Sequence, residues 1–203
     1  MNRVVSINTG LAQLLIVRDA NEPSHGVQTA IRKTSVSSLE SPASIPLERL
    51  GFEGDEQVDL SVHGGLEKAV YAFCTEHYAN WRDWLVSVGG AAQRLDRFGA
   101  FGENLSIEGF DETTVYVGDL WCIGPVVLRV TEPRSPCFKF TALMKAPLAA
   151  RHMFETHQSG WYLQVIQPGP VQAGDLIVVK PGPRETSIAK ALNLKKRPQD
   201  LSV

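Results

Sequence analysis

Short apolar runs, separated by Gly, Pro and Asp, dominate the chain. Runs of this length that are bounded by turn residues are typical of β-strands. The pair Gly124-Pro125 separates two of the runs closely enough to predict a hairpin. The predicted strands are Val4–Ile7, Val27–Ile31, Ala69–Phe73, Asn104–Ile107, Leu120–Ile123, Val126–Val130, Tyr162–Ile166 and Leu176–Val179.

Helical patterns are few. A helix is predicted from Glu76 to about Val88, with Thr75 as its N-terminal cap. Its apolar stripe is predicted to be core packing rather than a ligand-binding face, and consists of Tyr78, Trp81, Leu85 and Val88. Further helices are predicted over Pro147–Glu155 and Glu185–Leu194. Many short strands with one long helix predict a mainly β protein with a few helices, folded as a closed or nearly closed β-barrel.

The composition changes after Lys180, where Pro181-Gly182-Pro183 is typical of a linker. We therefore predict a β-barrel domain over residues 1–180 and a short linker, helix and tail over residues 181–203. The basic run Lys195–Pro198 is predicted to be a solvated tail rather than a nucleic-acid patch.

Composition and charge exclude several classes of protein. Hydrophobic residues make up 43% of the chain, which is enough for an ordinary globular core. The net charge of -2 gives no general attraction to nucleic acid or to acidic membranes. No apolar stretch approaches a membrane span, and the apolar start is too short for a signal peptide. We therefore expect neither nucleic acid nor a membrane as a partner.

The three cysteines are an odd number without a framework spacing, so structural disulfides are not predicted. This usage fits a reducing cytoplasm. Cys74 and Cys122 lie inside apolar runs and are predicted to be small buried hydrophobes. Cys137 differs because prolines and cations surround it.

Cys137 lies in the segment Pro133-Arg134-Ser135-Pro136-Cys137-Phe138-Lys139, directly after a predicted strand. The two prolines end that strand and predict a loop of fixed conformation. Arg134 and Lys139 are near enough in sequence to favour the thiolate form of the cysteine. An accessible thiolate of this kind is either a nucleophile or a soft metal ligand.

Three other segments carry residues that suit the same site. Gly51–Gln57 is rich in turn residues. In Phe101–Leu105, polar side chains lie at the start of a predicted strand. In His63-Gly64-Gly65, adjacent glycines allow backbone N–H groups to approach an anion, and Lys68 adds a positive charge. None of the three is specific alone, and periodicity does not indicate whether they converge.

Taken together, these motifs resemble the MOSC family (molybdenum cofactor sulfurase C-terminal domain), in particular its bacterial 6-N-hydroxylaminopurine-resistance proteins. The motifs are Lys33-x-x-Val36, Gly51-x-x-Gly54-Asp55-Glu56-Gln57, Val62-His63-Gly64-Gly65, Phe101-Gly102-Glu103-Asn104-Leu105, Val117-Gly118-Asp119, Glu132-Pro133-Arg134-Ser135-Pro136-Cys137 and Gly160-Trp161. They follow the family order and cover the chain up to Pro181. Relatives carry a longer C-terminal helical extension, of which residues 181–203 would be a remnant.

The resemblance implies a MOSC-type β-barrel that binds a molybdopterin-type molybdenum cofactor, with Cys137 as the metal ligand. It implies that family members reduce N-hydroxylated compounds, including hydroxylaminopurine bases, to amines. The cofactor-binding residues carried over from the family are Cys137, Arg134, Lys68, Asn104, His63, Gly64, Gly65 and Lys33. The residues assigned to catalysis are Cys137, His63, Glu103 and Asp55.

The chemistry of these residues agrees with that role. A soft thiolate suits molybdenum, and cations neutralise an anionic cofactor. Reducing N–OH to N–H releases water and needs a proton source, for which His63 has a suitable ordinary pKa, with Glu103 or Asp55 as alternatives. The chain has neither a cysteine array for an iron–sulfur cluster nor a dinucleotide fingerprint. We therefore expect a separate reductase as the electron donor.

Other functions stay open at this stage. The chain could be a non-catalytic carrier of the cofactor, or of sulfur as a Cys137 persulfide. A cysteine–histidine hydrolase with His63 or His152 as the base ranks lower, because no oxyanion motif is evident. Zinc binding by His152 and His157 ranks lowest, because their spacing of five does not place both on one helical face. A homodimer through exposed strand edges is also left open.

Overall fold

The computed structural model describes residues 1–17, 24–58 and 64–195. The strands in these ranges are β1 (Arg3–Thr9), β2 (Gln13–Val17), β3 (His25–Thr29), β4 (Thr34–Ser38), β5 (Ile45–Glu48), β6 (Gly51–Phe52), β7 (Val70–Cys74), β8 (Leu105–Glu108), β9 (Leu120–Ile123), β10 (Val126–Pro133), β11 (Trp161–Gln167), β12 (Gly169–Val171) and β13 (Ile177–Lys180). The α-helices are α1 (His77–Ser87), α2 (Phe138–Met144), α3 (Ala149–Thr156) and α4 (Ile188–Lys195), and short 3-10 turns cover Leu66–Lys68 and Ala92–Asp96.

One eight-stranded sheet, in the order β13-β9-β10-β11-β7-β8-β1-β4, forms the body of the fold. Its neighbouring strands are antiparallel except β7 and β8, which are parallel. The sheet closes on itself where Arg3 and Leu176 form a β-bridge. There the Val4 N–H donates to the Asp175 carbonyl (3.0 Å), and the Gly174 N–H donates to the Val4 carbonyl (2.8 Å). The fold is therefore mainly β and barrel-like, as the sequence predicts, with β4 continuing the sheet beyond the closure.

Each predicted strand has a counterpart, and Leu120–Ile123 has the same bounds as β9. The sequence analysis missed β2, β4, β5, β6 and β12. The strands β5, β6 and β12 form a small separate sheet of very short members. The strand β4 is a serine-rich edge, and β2 is apolar on its exposed face as well as its buried one. Apolar alternation is therefore weak in all five.

Helix α1 confirms the predicted aromatic packing but not its predicted cap. Trp81 and Leu85 are fully buried, whereas Val88 lies beyond the helix and is exposed. Thr75 does not cap the helix through its side chain, because its hydroxyl donates to the Ile107 carbonyl (3.1 Å). The helix begins at His77 without a side-chain cap.

The chain after Cys137 is helical, which the sequence analysis did not predict: α2 begins at Phe138. The predicted helix over Glu185–Leu194 corresponds to α4, which begins three residues later, at Ile188, and includes Lys195. Lys195 was expected in a solvated tail, but it forms an ion pair with Glu132. The remainder of that basic run lies outside the described residues, and the boundary between residues 180 and 181 stays a prediction.

Two apolar clusters form the core. The first fills the barrel interior and includes Trp121, Trp161 and Ile188. The second packs α1, α2 and α3 against the outer side of the sheet and includes Phe101 and Phe140. None of the helices in the described part of the chain has the length and apolar character needed to traverse a bilayer.

Candidate functional site

A cavity of about 100 Å³ lies beside the second apolar cluster, and residues between positions 29 and 162 line it. Most of the candidate residues line it, and they come from segments far apart in sequence. The polar and sulfur-containing side chains at its wall include Lys33, Asp55, Lys68, Asn104, Arg134, Cys137 and Lys139. The aromatic residues of its lining are Tyr71, Phe101 and Tyr162. The structure therefore brings together Cys137, the segment Gly51–Gln57 and the segment Phe101–Leu105.

Cys137 lies between the end of β10 and the start of α2 and is half-buried at the cavity wall. Pro133 is the last residue of β10, which agrees with the prediction that a proline ends this strand. The Cys137 carbonyl accepts hydrogen bonds from the Phe140 N–H (2.9 Å) and the Thr141 N–H (3.2 Å). These contacts fix the backbone that carries the sulfur.

The other two cysteines lie outside the cavity lining. Cys74 is fully buried, as predicted, whereas Cys122 was predicted to be buried and is half-buried. None of the three cysteines, all of which lie in the described part of the chain, forms a disulfide.

Arg134 is a buried cation beside Cys137. Its guanidinium carbon lies 4.4 Å from the centre of the Phe140 ring and 5.2 Å from that of Tyr71, and its Nη1 contacts the Met153 sulfur at 3.7 Å. Burial alone would lower the pKa of Arg134. Its interactions with Tyr71, Tyr162 and Cys137 outweigh burial and raise that pKa. The group is therefore a permanent positive charge at the cavity wall.

Lys33, Asp55 and Asn104 form a buried polar network. Lys33 makes an ion pair with Asp55 Oδ1, which also accepts the Gly10 N–H (2.8 Å). Asn104 Nδ2 donates to Asp55 Oδ2 (2.8 Å), and Asn104 Oδ1 accepts the Tyr71 N–H (3.1 Å). Burial lowers the pKa of Lys33, although Asp55 acts in the opposite direction. Both oxygens of Asp55 are thus engaged within the protein.

Lys68 reaches the cavity from the short turn that precedes β7. Its Nζ lies 5.6 Å from the centre of the Tyr162 ring and 3.4 Å from Glu132 Oε1. Lys139, in the first turn of α2, is a further buried cation of the lining. The positive charges at the cavity give it the electrostatic character of an anion site.

Glu103 does not line the cavity, contrary to the prediction that it stands beside the reacting group. Its side chain is fully buried and accepts hydrogen bonds from the backbone N–H groups of Gly99 (2.8 Å) and Phe101 (3.0 Å). It also accepts from the hydroxyls of Ser106 (2.9 Å) and Tyr78. These four donors occupy the carboxylate, so its role in this structure is to hold the turn that leads into β8.

The double-glycine segment also differs from expectation. Gly65 has a positive φ of 82°, which favours glycine, but its N–H donates to Gln57 Oε1 (2.8 Å) rather than pointing to an anion. Neither Gly64 nor Gly65 is among the cavity-lining residues. His63, predicted as a cofactor ligand and proton source, lies outside the described residues.

Among the described residues, the alternative metal and hydrolase sites built on His152 and His157 receive no geometric support, and His63 lies outside that part of the chain. His152 stacks on Trp84, with ring centres 4.0 Å apart, and it does not line the cavity with Cys137. His157 bonds Asn193 (2.9 Å). Within the described ranges, no group of three or more His, Cys, Asp and Glu side chains could hold a metal ion.

Sequence reasoning missed Tyr71 and Tyr162 as site residues. They face one another across the β7–β11 pair, and their ring centres are 5.5 Å apart. The Tyr71 hydroxyl donates to the Ser159 carbonyl (2.7 Å). Both tyrosines fall in predicted strands, and Tyr162 directly follows the Gly160-Trp161 motif, which was a usable signal for that residue.

The chain is similar to several known proteins. The family model described as MOSC domain matches residues 59–178. Protein YiiM of Escherichia coli (strain K12) is 35% identical over 145 residues, covering 70% of this chain and 62% of that protein. The uncharacterized protein YflK of Bacillus subtilis (strain 168) is 33% identical over 171 residues, covering 84% of this chain and 70% of that protein.

A protein of Gibberella moniliformis named reductase is 37% identical over 128 residues, which are 63% of this chain and 22% of that protein. The crystal structure of YiiM from Escherichia coli superposes with a TM-score of 0.69 at 26% identity, covering 96% of this chain and 77% of that one. The sequence match thus spans 62% of YiiM, which is less than two thirds of its length, and about a fifth of the reductase.

Proposed function

The chain belongs to the MOSC domain family, and from that premise we propose that it is a molybdenum-cofactor-dependent oxidoreductase that reduces N-hydroxylated compounds to amines. The observation that carries the proposal is the position of Cys137 at the wall of a cavity that also holds Arg134, Lys68 and Lys139. A soft thiolate beside several cations suits a thiophilic metal carried by an anionic organic ligand.

The donor set fits such a cofactor, because dithiolene sulfurs belong to the cofactor and the protein needs to add one thiolate. The cavity volume is about 100 Å³, whereas ligand pockets commonly measure about 300–1,000 Å³. The cavity among the described residues therefore accommodates the reactive end of the cofactor rather than all of it. Its lining reaches Val58, next to residues 59–63, which the structure does not describe.

The proposed reaction consumes two electrons and two protons, converts an N–OH group to N–H and releases one water. When bound, the cofactor supplies the two-electron chemistry. Cys137 holds it through sulfur, while Arg134 and Lys68 neutralise its negative charge. The rings of Tyr71 and Tyr162 exclude water from the wall beside the sulfur.

The proton source in this proposal is His63, because the ordinary pKa of a histidine side chain suits that task. The two carboxylates that were alternatives are less suitable. Both oxygens of Asp55 accept hydrogen bonds within the protein, and Glu103 lies outside the cavity. We propose the cytoplasm as the compartment, since three cysteines without a disulfide agree with a reducing environment.

Electrons must come from a partner. We propose a separate reductase that docks transiently, because the chain contains no cysteine array for an iron–sulfur cluster. The similarity to a longer protein named reductase supports redox chemistry for this fold.

A second candidate is a non-catalytic carrier of the cofactor or of sulfur on Cys137. One observation favours it: within the described ranges, the carboxylates proposed as proton donors are already engaged by protein groups. A carrier needs the cysteine but no acid. If the chain is a carrier, His63→Ala and the wild type should give the same result in a hydroxylaminopurine reduction assay.

The test uses protein produced in cells that make molybdenum cofactor, with reduced methyl viologen as the electron donor and 6-N-hydroxylaminopurine as the substrate. We expect adenine to form with the wild type and not with Cys137→Ala. The matched control is Cys122→Ala, a half-buried cysteine away from the cavity, which should retain activity. Equal rates for wild type and Cys137→Ala, or no reduction by wild type that contains molybdenum, would contradict the proposed activity.

A further inference from the structure

Glu132 connects the cavity to the C-terminal helix. Its Oε1 lies 3.4 Å from Nζ of Lys68, which lines the cavity, and its Oε2 forms an ion pair with Lys195 at the end of α4. About a quarter to a third of each of the three side chains is exposed to solvent. Solvent therefore screens the three charges only in part.

Packing of α4 brings Lys195 to this position. Ile188 and Leu192 are fully buried, and Ile188 belongs to the core inside the barrel. The Ala189 N–H donates to the Glu112 carbonyl (2.7 Å). Lys195 Nζ also contacts the carbonyl of Pro133 (3.4 Å), the residue before Arg134. A docked helix thus presents this ammonium group to Glu132 at a reduced cost in conformational entropy.

Lys68, Glu132 and Lys195 form a charged cluster beside the cavity. The charge state of Glu132 decides the net charge of this cluster. Burial acts to raise the pKa of Glu132, but Lys195 and Lys68 together bring it below its ordinary value. The carboxylate is therefore ionised at neutral pH. Glu132 and Lys68 have a combined charge of zero, whereas Glu132, Lys68 and Lys195 together carry one net positive charge.

We propose that Lys195 is a positioning residue of the cavity: by sharing Glu132, it leaves Lys68 with positive charge for an anionic group bound there. The inference deepens the proposed function, since the cofactor proposed for this cavity is an anion, for which inorganic phosphate serves as the probe. It assigns to the C-terminal helix a direct electrostatic role in ligand binding. Lys195 itself does not line the cavity.

The test measures binding of inorganic phosphate to the metal-free protein at low ionic strength, by calorimetry and by the amide NMR signals of Arg134 and Cys137. Lys195→Met should weaken phosphate binding about threefold, because one unit charge is lost at a distance where screening is partial. Glu132→Gln should strengthen binding by a similar factor. The double variant should return close to the wild-type affinity, because its net charge equals that of the wild-type cluster.

The matched control is Lys190→Met, on the same helix but bonded to the Glu185 carbonyl (3.3 Å), and it should leave the affinity unchanged. Lys195→Arg should preserve binding. The changes in phosphate affinity caused by Lys195→Met and Glu132→Gln should become smaller at high salt. A merely structural role predicts instead that Lys195→Met and Glu132→Gln both weaken binding, and that result would overturn the inference.

Failure of wild-type protein to bind phosphate at the cavity would overturn it as well. The outcome is separable from that of the proposed function, because phosphate binding is measured without metal. If the purified protein lacks molybdenum, but Lys195→Met weakens phosphate binding and Glu132→Gln strengthens it, the result supports this inference and contradicts the proposed activity.

Discussion

Lys33 and Asp55 form an ion pair in which the two side chains expose only 7% and 4% of their surface. The pair is supported on the carboxylate side by the N–H of Gly10 and the amide of Asn104. Buried charges persist only when they are paired and hydrogen-bonded, as these are. The pair therefore holds its part of the cavity wall as one connected polar unit.

Removing one member of this pair should destabilise the fold strongly. We expect Lys33→Met to lower the free energy of unfolding by about 3–5 kcal/mol, because it leaves a buried carboxylate without its cation. Urea denaturation measures the change. The double variant Lys33→Met/Asp55→Asn should recover part of the loss.

The exposed pair of Arg151 and Glu155 provides the comparison. Arg151→Met should cost no more than about 0.5 kcal/mol, since helical surface pairs contribute little. Similar costs for Lys33→Met and Arg151→Met would contradict the structural role of the buried pair.

Glu103→Gln should reduce stability without removing the catalytic step. The Glu103 carboxylate accepts hydrogen bonds from two N–H groups and two hydroxyls. The amide nitrogen of glutamine is itself a donor, so it cannot accept the hydrogen bonds of the oxygen that it replaces. A loss of about 1–3 kcal/mol is expected from unfolding curves. The rate per folded, molybdenum-loaded molecule should stay within the range of the wild type. A stable Glu103→Gln protein without turnover would instead restore Glu103 as a proton donor.

His152 should make stability depend on pH in the mildly acidic range. Burial lowers the pKa of His152 below its ordinary value of 6.5. The unfolded chain therefore binds a proton at pH values where the native state does not, so the free energy of unfolding falls as the pH drops below 6.5. His152→Phe keeps a ring against Trp84 and should flatten this dependence. An unchanged slope between pH 5 and 6.5 would show that other groups cause it.

Gly102 should not tolerate a side chain. Its φ is +83°, and a Cβ atom would lie 2.8 Å from Ile31 Cγ1 and 3.0 Å from the Ile31 carbonyl oxygen at the cavity. Gly102→Ala should cost clearly more than the roughly 1 kcal/mol expected from backbone conformation alone. Gly124→Ala is the control, because φ is also positive there and no atom lies within 4 Å. If thermal unfolding shows a larger loss of stability for Gly124→Ala than for Gly102→Ala, the close packing of Gly102 against Ile31 is contradicted.

The barrel and the central part of the site could be predicted because they depend on local features. Apolar runs between turn residues mark the strands, and the prolines around Arg134 limit the loop that carries Cys137. The family motifs then indicated which distant loops belong together. The structure brings Lys33, Asp55 and Asn104 into one network at the cavity.

The remaining features depend on contacts between distant residues. Glu103 and Asn104 are adjacent in sequence, yet Asn104 lines the cavity and Glu103 is enclosed by its own turn and by Tyr78. The ion pair between Lys195 and Glu132 joins residues 63 positions apart. No local pattern distinguishes such a lysine from a solvated one, so its role required the packed position of α4.

The most direct test of the central claim is the molybdenum content of purified protein from cells that make molybdenum cofactor. The account predicts that the wild type and Cys122→Ala retain molybdenum through purification, and that Cys137→Ala loses it while keeping the same circular dichroism spectrum and unfolding curve. Wild type without molybdenum, or Cys137→Ala with as much molybdenum as the wild type, would contradict a cofactor held by the Cys137 sulfur.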